Sequence, residues 1–201
     1  RYWGPAGTRA GLAYPALRGG LQLRNAAAAM CALDSLRERL PVGMQHVRQG
    51  LAQVALAGRF QVLPGRPQVI LDVAHNPQAA QGLAQDLAGS GFARETIAVL
   101  GMLRDKDIAG VVRAVAPRVT RWHLATLGGE RGATATELAA ILLAEKVSTP
   151  VAQHASATLA FAAAREEAGE NDKIVAFGSF LTVGEVMAYL EAVRGGARSH
   201  G

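Results

Sequence analysis

From Arg59 onward the chain alternates short apolar runs with helical patterns, and few folds tolerate that alternation. Phe60-Gln61-Val62-Leu63 reads as a short strand, followed by the turn signal Pro64-Gly65-Arg66-Pro67. Val69-Ile70-Leu71-Asp72-Val73 reads as a buried strand. Strands are then expected at Thr96–Leu100, Val119–Leu124, Pro150–Ala152 and Ile174–Phe177. Helices are expected at Gln78–Leu87, Ile108–Ala116, Thr136–Glu145, Ala155–Glu167 and Val183–Val193. Strands separated by helical stretches of about 10–15 residues require crossover connections and a mostly parallel sheet. The strands are short and apolar without alternation, as in a sheet covered on both faces. The expected fold is therefore α/β, a Rossmann-like three-layer domain.

In such a sheet the ligand side is the carboxyl end of the strands. The most unusual polar stretches fall there: Asp72–Pro77, Gly101–Asp107, Ala125–Gly132 and Gly178–Thr182. That coincidence points to a site without reference to any family.

Residues 1–57 have another character. Residues 1–22 are rich in Gly and Pro and read as loop with one short strand at most. Leu23–Leu40 has helical spacing, with Asn25 placed to cap or pair near its start and Pro41 as its stop. Ala26–Ala29 gives it a face almost without side-chain volume, and residues 1–57 offer it no evident enclosed core. Residues 42–58 read as a connection punctuated by Gly43, Gly50 and Gly58. The chain starts at Arg1 rather than Met, and the reading is of a piece of something longer.

The 201 residues are 50% hydrophobic and 18% charged, which excludes an ordinary disordered chain. Lys and Arg number 21 against 16 Asp and Glu. The net charge of +5 would draw an anionic ligand without selecting one. No basic stripe carries interleaved aromatics, so nucleic acid is not an expected partner. No run of 18 apolar residues occurs, and Arg1-Tyr2-Trp3-Gly4-Pro5 is no signal peptide, so no membrane is expected. Cys31 alone excludes an intrachain disulfide, and a cytoplasmic location fits. His46, His75, His123, His154 and His200 show no close pairing along the chain, and no metal site is expected.

Asp72-Val73-Ala74-His75-Asn76-Pro77 lies between a strand and a helix. Asn76 suits an N-cap with Pro77 at the first helical position. Asp72 and His75 are open to two readings, nucleotide contact through ribose hydroxyls or local capping and packing. Lys106 and Arg104 could grip a carboxylate or belong to a solvated loop. Ser179 could bond a small polar substrate, or Gly178-Ser179-Phe180 could be a turn into a helix capped by Thr182. Arg59 could cover a surface or reach a phosphate with its planar fork. No G-x-G-x-x-G follows the first strand, no G-x-x-x-x-G-K-[ST] occurs, and G-x-S-x-G is absent. If the chain handles ATP, the triphosphate grip comes from elsewhere.

Leu71-Asp72-Val73-Ala74-His75-Asn76-Pro77, with Gly58-Arg59-Phe60-Gln61 upstream, resembles the C-terminal domain of the Mur ligase superfamily. Within it the chain is most similar to the folylpolyglutamate synthase and dihydrofolate synthase branch. Gly101-Met102-Leu103 with Asp105-Lys106-Asp107, Arg131-Gly132-Ala133 and Ala176–Val183 match that branch in order. Leu23–Ala29 resembles the last helix of the family's central ATPase domain. One departure is Leu56-Ala57 ahead of Gly58-Arg59, where the branch usually has Trp-Pro.

The resemblance implies residues 1–57 as the tail of the central ATP-binding domain and 58–201 as the C-terminal domain. It implies an ATP-dependent ligase adding L-glutamate to folate or dihydropteroate through an acyl phosphate. Asp72 would hold the ribose, and His75 and Asn76 would lie by the nucleotide. Arg59, on the interdomain hinge, would reach the phosphates, while Lys106 and Ser179 would take the glutamate side. The phosphate loop and the ligands of the Mg2+ that accompanies ATP would lie in a central domain absent here, so this chain alone is expected to be inactive. The full-length protein is expected to be a monomer. Two alternatives stand beside this: another Mur-type amino-acid ligase, and a non-catalytic nucleotide-binding or interaction domain.

Overall fold

The computed structural model describes residues 1–17 and 19–198. His200 and the end of the expected 58–201 segment therefore lie outside the described residues. The chain forms two compact units, Arg1–Ala57 and Gly58–Gly201.

The first unit opens on a hairpin of β1 (Tyr2–Gly4) and β2 (Gly7–Arg9), so the stretch read as mostly loop holds two paired strands. Helix α1 spans Gly20–Ser35. It ends well before Pro41, because Leu36 and Arg39 turn the chain through bonds to Ala32 O and Leu36 O. Asn25 pairs with Gln22 inside the helix and caps nothing. The expected connection over 42–58 contains a helix, α2 (Met44–Gln53). Met44, Val47 and Leu51 recur along it at helical spacing, and Val47 is its buried residue. Tyr2, Met30 and Val47 form a small core with Leu12, Ala27 and Leu51, so α1 is not without an interior. Arg9 pairs with Asp34, whose carboxylate is buried beside that core.

The second unit is a six-stranded sheet between two helical layers. In chain order it contains β3 (Gln61–Leu63), β4 (Gln68–Leu71), α3 (Pro77–Gly89), β5 (Thr96–Leu100), α4 (Ile108–Val115), β6 (Arg121–Ala125), α5 (Ala135–Ala144), β7 (Val151–His154), α6 (Ala157–Glu167), β8 (Lys173–Phe177) and α7 (Phe180–Arg198). The spatial order is β3-β4-β8-β5-β6-β7. All pairs are parallel except β3 with β4 at one edge. The three-layer α/β expectation is borne out.

Residue alternation sorts the two faces. Ile70, Ala98, Leu100, Trp122, Leu124 and Phe177 meet α3, α4 and α5. Val69, Leu71, Ile97, Val99, Ile174 and Ala176 meet α6 and α7. Trp122 and Phe177 pack with ring centres 6.4 Å apart. Burying a side chain of this size stabilises the fold by about 1.5–3 kcal/mol or more.

Helix starts are set by local sequence. Asn76 accepts from Ala79 N–H at 2.9 Å with Pro77 at the first turn of α3. Asp107 caps α4 through Gly110 N–H, and Ser156 caps α6 through Leu159 N–H. Thr134 and Glu137 form a capping box on α5.

Candidate active-site crevice

The chain leaves β4 through α3 and β8 through α7, which lie on opposite faces of the sheet, while β4 and β8 are neighbours. Loops that part in this way open a crevice at the carboxyl ends of the strands. Asp72 to Asn76 follow β4, Gly101 to Asp107 follow β5, and Gly178 and Ser179 follow β8. Here the loops draw together because Gly178 lacks a side chain. At φ +106°, a Cβ there would stand 2.6 Å from Gly101 O and 2.7 Å from Met102 Cγ. Buried Thr182 donates to the same Gly101 carbonyl at 2.8 Å. Thr182 thus ties α7 to the β5 loop and does not cap it. The cap is Ser179, whose Oγ accepts from Leu181 N–H at 3.1 Å and whose carbonyl accepts from Val183 N–H.

A cleft of about 250 Å³ lies here, lined by His75, Leu103, Lys106, Gly178, Ser179 and Phe180. Three of the six residues singled out by sequence, His75, Lys106 and Ser179, therefore share one cleft. His75 Nδ1 is 2.9 Å from Val73 O. A carbonyl can only accept, so Nδ1 carries the proton and Nε2 of the neutral ring is left as an acceptor. The Lys106 ammonium is half-buried, with Asp105 at 3.6 Å. Asp105 in turn lies 2.7 Å from Arg131. That bond leads the interactions that hold the Asp105 carboxyl below the ordinary carboxylate range. Arg104, the other candidate cation, is engaged by Glu137 at 3.0 Å.

Asp72, Asn76 and Arg59 lie outside the lining of that cleft. Asp72 is half-buried and both its oxygens are in use: Oδ2 accepts from Phe60 N–H and Oδ1 from Ala74 N–H, each at 2.7 Å. Burial pushes its carboxyl up, against those two bonds and the nearby Arg59 charge, which pull it down. Phe60 holds φ +43°, a left-handed conformation that a bulky residue seldom adopts. Beside it Gly58 sits at φ +69°, with only 2.8 Å from a would-be Cβ to Val73. Asp72 therefore clamps a strained turn at 58–60, and local structure accounts for it without any ligand. Each carboxylate oxygen keeps further acceptor capacity. The Arg59 guanidinium lies 5.7 Å from the centre of the Phe180 ring, which sits at the cleft edge.

Sequence spacing concealed one cluster. His123 and His154, 31 residues apart, stack with ring centres 5.1 Å apart and Nδ1 to Nε2 at 3.0 Å. Glu167 lies 3.4 Å from the far nitrogen of His123. The pairing that the sequence did not reveal is made by adjacent strands β6 and β7. Among the described residues no group of three His, Cys, Asp or Glu side chains could hold a metal ion.

The family model for the Mur ligase, glutamate ligase domain matches residues 58–180. The dihydrofolate synthase/folylpolyglutamate synthase of Escherichia coli K12 is 40% identical over 174 residues, 87% of this chain and 39% of that protein. The structure of Escherichia coli FolC in complex with ADP, without folate substrate, superposes with a TM-score of 0.83. It is 36% identical and the match covers 94% of this chain and 43% of that one. A Yersinia pestis bifunctional folylpolyglutamate synthase/dihydrofolate synthase complexed with AMPPNP and Mn gives a TM-score of 0.77. Its identity is 40%, over 91% of this chain and 42% of that one. The chain spans about two-fifths of the length of these relatives.

Proposed function

The chain belongs to the Mur ligase family through its glutamate ligase domain, and on that premise we propose that it is the C-terminal part of an ATP-dependent ligase. The ligase joins L-glutamate to folate, dihydropteroate or both. The observation that carries the reading is the convergence of His75, Lys106 and Ser179 on one cleft where β4, β8 and β5 end.

The cleft's size matches half of a site. Small-molecule pockets run to roughly 300–1,000 Å³, so about 250 Å³ has room for an amino acid but not for a nucleotide as well. Lys106 offers a charge to a glutamate carboxylate, and Ser179 Oγ keeps a proton to donate. The nucleotide would lie along the rim formed by Asp72, His75 and Asn76, with the ribose on Asp72's remaining lone pairs and Arg59 toward the phosphates. The two roles of Asp72 are compatible, since the backbone bonds aim the carboxylate that a ribose would meet. Escherichia coli FolC and a related bifunctional synthase have been seen with ADP and with Mn, AMPPNP and L-glutamate, respectively.

In the reaction the acceptor carboxylate takes the γ-phosphoryl group of ATP and ADP leaves. The glutamate amine then attacks the acyl carbon and phosphate departs. The chain's residues hold glutamate with its amine facing the acyl carbon and help keep water away. Among the described residues no group of three His, Cys, Asp or Glu side chains could hold a metal ion, and in this reading the protein ligands of the Mg2+ that accompanies ATP belong to the ATP-binding domain. Residues 1–57 are the tail of the ATP-binding domain in this reading. An apolar groove of about 340 Å³ in that unit, lined by Pro15, Leu17, Met30, Leu33, Leu51 and Val54, supports it as a face covered by the rest of that domain. Among the described residues no helix is long and apolar enough to cross a membrane. A cytoplasmic monomer completes the proposal.

The test is amide and side-chain NMR of this chain titrated with L-glutamate and with ADP. Glutamate is expected to shift Lys106, Ser179 and their neighbours, and ADP to shift Asp72 to Asn76. Shifts from both ligands confined to residues away from the carboxyl ends of β4, β5 and β8 would refute the assignment.

A further inference from the structure

The loop that carries Lys106 is held more firmly than a surface turn requires. Its backbone is joined to the loop after β6: Leu103 bridges Gly132, Arg104 N–H donates to Arg131 O at 2.7 Å, and Ala133 N–H donates to Met102 O at 3.0 Å. The Arg104 side chain then spends its whole fork on the start of α5 and on that loop. Nε and Nη2 meet the two oxygens of Glu137 at 3.0 and 3.2 Å, and Nη1 donates to Glu130 O at 2.8 Å.

Glu137 is itself immobilised, because its Oε2 also accepts from Thr134 N–H and Oγ1 at the start of α5. On the other side, Ile108 N–H donates to Lys106 O at 2.8 Å and Asp107 caps α4. Lys106 is thus set between two fixed points, one on each side in sequence. Lys106 lines both the 250 Å³ cleft and a second cleft of about 460 Å³ that Arg104, Asp107 and Glu137 also line. The nearby Asp105 is shared, its Oδ2 lying 2.7 Å from Arg131 and 3.6 Å from Lys106, so a carboxylate entering the cleft competes only with the longer of its two contacts.

The two-point contact supports the loop locally, and the Arg104 bond leads the interactions that lower the Glu137 carboxyl to about 2, but solvent screens its contribution to global stability. The Arg104 and Glu137 side chains are 52% and 44% exposed, and exposed pairs contribute little to folding. What a planar two-point fork fixes is direction. We propose that Arg104, through its fork on Glu137, is a positioning residue that aims Lys106 at the carboxylate of L-glutamate, a role that rests on the ligase reading above.

The experiment uses the full-length protein that contains this chain, with Arg104→Ala, Arg104→Lys and Glu137→Gln and L-glutamate varied at saturating ATP and acceptor. The expected result for Arg104→Ala is a glutamate KM raised roughly tenfold, on the scale that small misplacements of a binding group produce. The ATP KM and the melting temperature stay close to wild type. Arg104→Lys remains impaired, because a point charge cannot reproduce the fork. Glu137→Gln preserves the helix cap and shifts the glutamate KM the same way, and the double variant Arg104→Ala/Glu137→Gln is no worse than Arg104→Ala.

An unchanged glutamate KM, full rescue by Arg104→Lys, or an equal rise in the ATP KM would overturn the proposal. Failure of the ligase reading looks different: the wild-type protein would then show no glutamate-dependent ADP release. Hydrogen exchange of amides 103–107 in this chain still tests the positioning in that case. Faster exchange in Arg104→Ala is expected, and unchanged exchange refutes it.

Discussion

Replacing Asp72 with alanine strips two buried N–H groups of a charged acceptor. Phe60 N–H and Ala74 N–H both lie 2.7 Å from its carboxylate. A hydrogen bond to a charged group contributes about 1.5–3 kcal/mol, so the gross loss is about 3–6 kcal/mol. Burial pushes the Asp72 carboxyl up, which means the ion resides there at a desolvation cost. Removing the ion recovers part of the loss, and Phe60 at φ +43° can relax once its bond is gone. A net destabilisation of about 2–4 kcal/mol results, or roughly 5–15 °C in melting temperature for a unit of this size. Urea unfolding of this chain, with no nucleotide present, measures it. Asp72→Asn should fall between, since an amide offers one acceptor where two are used. A loss under about 0.5 kcal/mol, the size of an ordinary surface substitution, would refute the clamp and leave Asp72 with ligand contact alone.

Three further outcomes are expected. Gly178→Ala forces a Cβ to within 2.6 Å of Gly101 O at φ +106°, at a cost of about 2–5 kcal/mol in denaturant unfolding; a change below about 1 kcal/mol would contradict the close approach. Burial leads the causes that lower His123's affinity for a proton in the fold, partly countered by Glu167. His154 is lowered as well. The unfolded chain therefore binds more protons below the ordinary histidine value of 6.5, and stability is full above that pH and falls as pH drops through it. Melting curves between pH 8 and 5 should show this drop, smaller in His123→Gln, and an identical slope in the variant would count against it. In the full-length protein, Lys106→Ala should raise the glutamate KM about tenfold or more while leaving the ATP KM within about twofold; equal changes in both would remove Lys106 from the glutamate side.

The three-layer unit was legible because its strands bury both faces, so their apolar runs need no partner to be recognised. Val69–Val73 and Thr96–Leu100 announce themselves in isolation, and the polar stretches that follow them mark the carboxyl edge. Helix α2 was missed although Met44, Val47 and Leu51 recur at helical spacing, because Gly43, Gly50 and Gly58 read as the punctuation of a loop. The assignment of Thr182 as a cap failed for a different reason. A hydroxyl near a helix start can turn inward, and its true partner, Gly101 O, is 81 residues away.

Distance in sequence hid other features in the same way. The His123–His154 stack depends on the neighbouring register of β6 and β7. Arg104 reads as a free cation beside Lys106 until α5 brings Glu137 to it across 33 residues. Among the residues that line the cleft, His75, Lys106 and Ser179 stood out from motif and position. A local role for Asp72 stood among its readings, but its partner Phe60 N–H did not show, because that bond depends on the turn at Phe60 folding back over the end of β4.

The central claim is that this crevice serves glutamate ligation. The most direct measurement is ADP release by the full-length protein with ATP and either dihydropteroate or a folate, with and without L-glutamate. Release is expected to require L-glutamate, to give one ADP for each glutamate joined, and to be absent from the 201-residue chain alone. Absence of any glutamate-dependent ADP release by the full-length protein would contradict it.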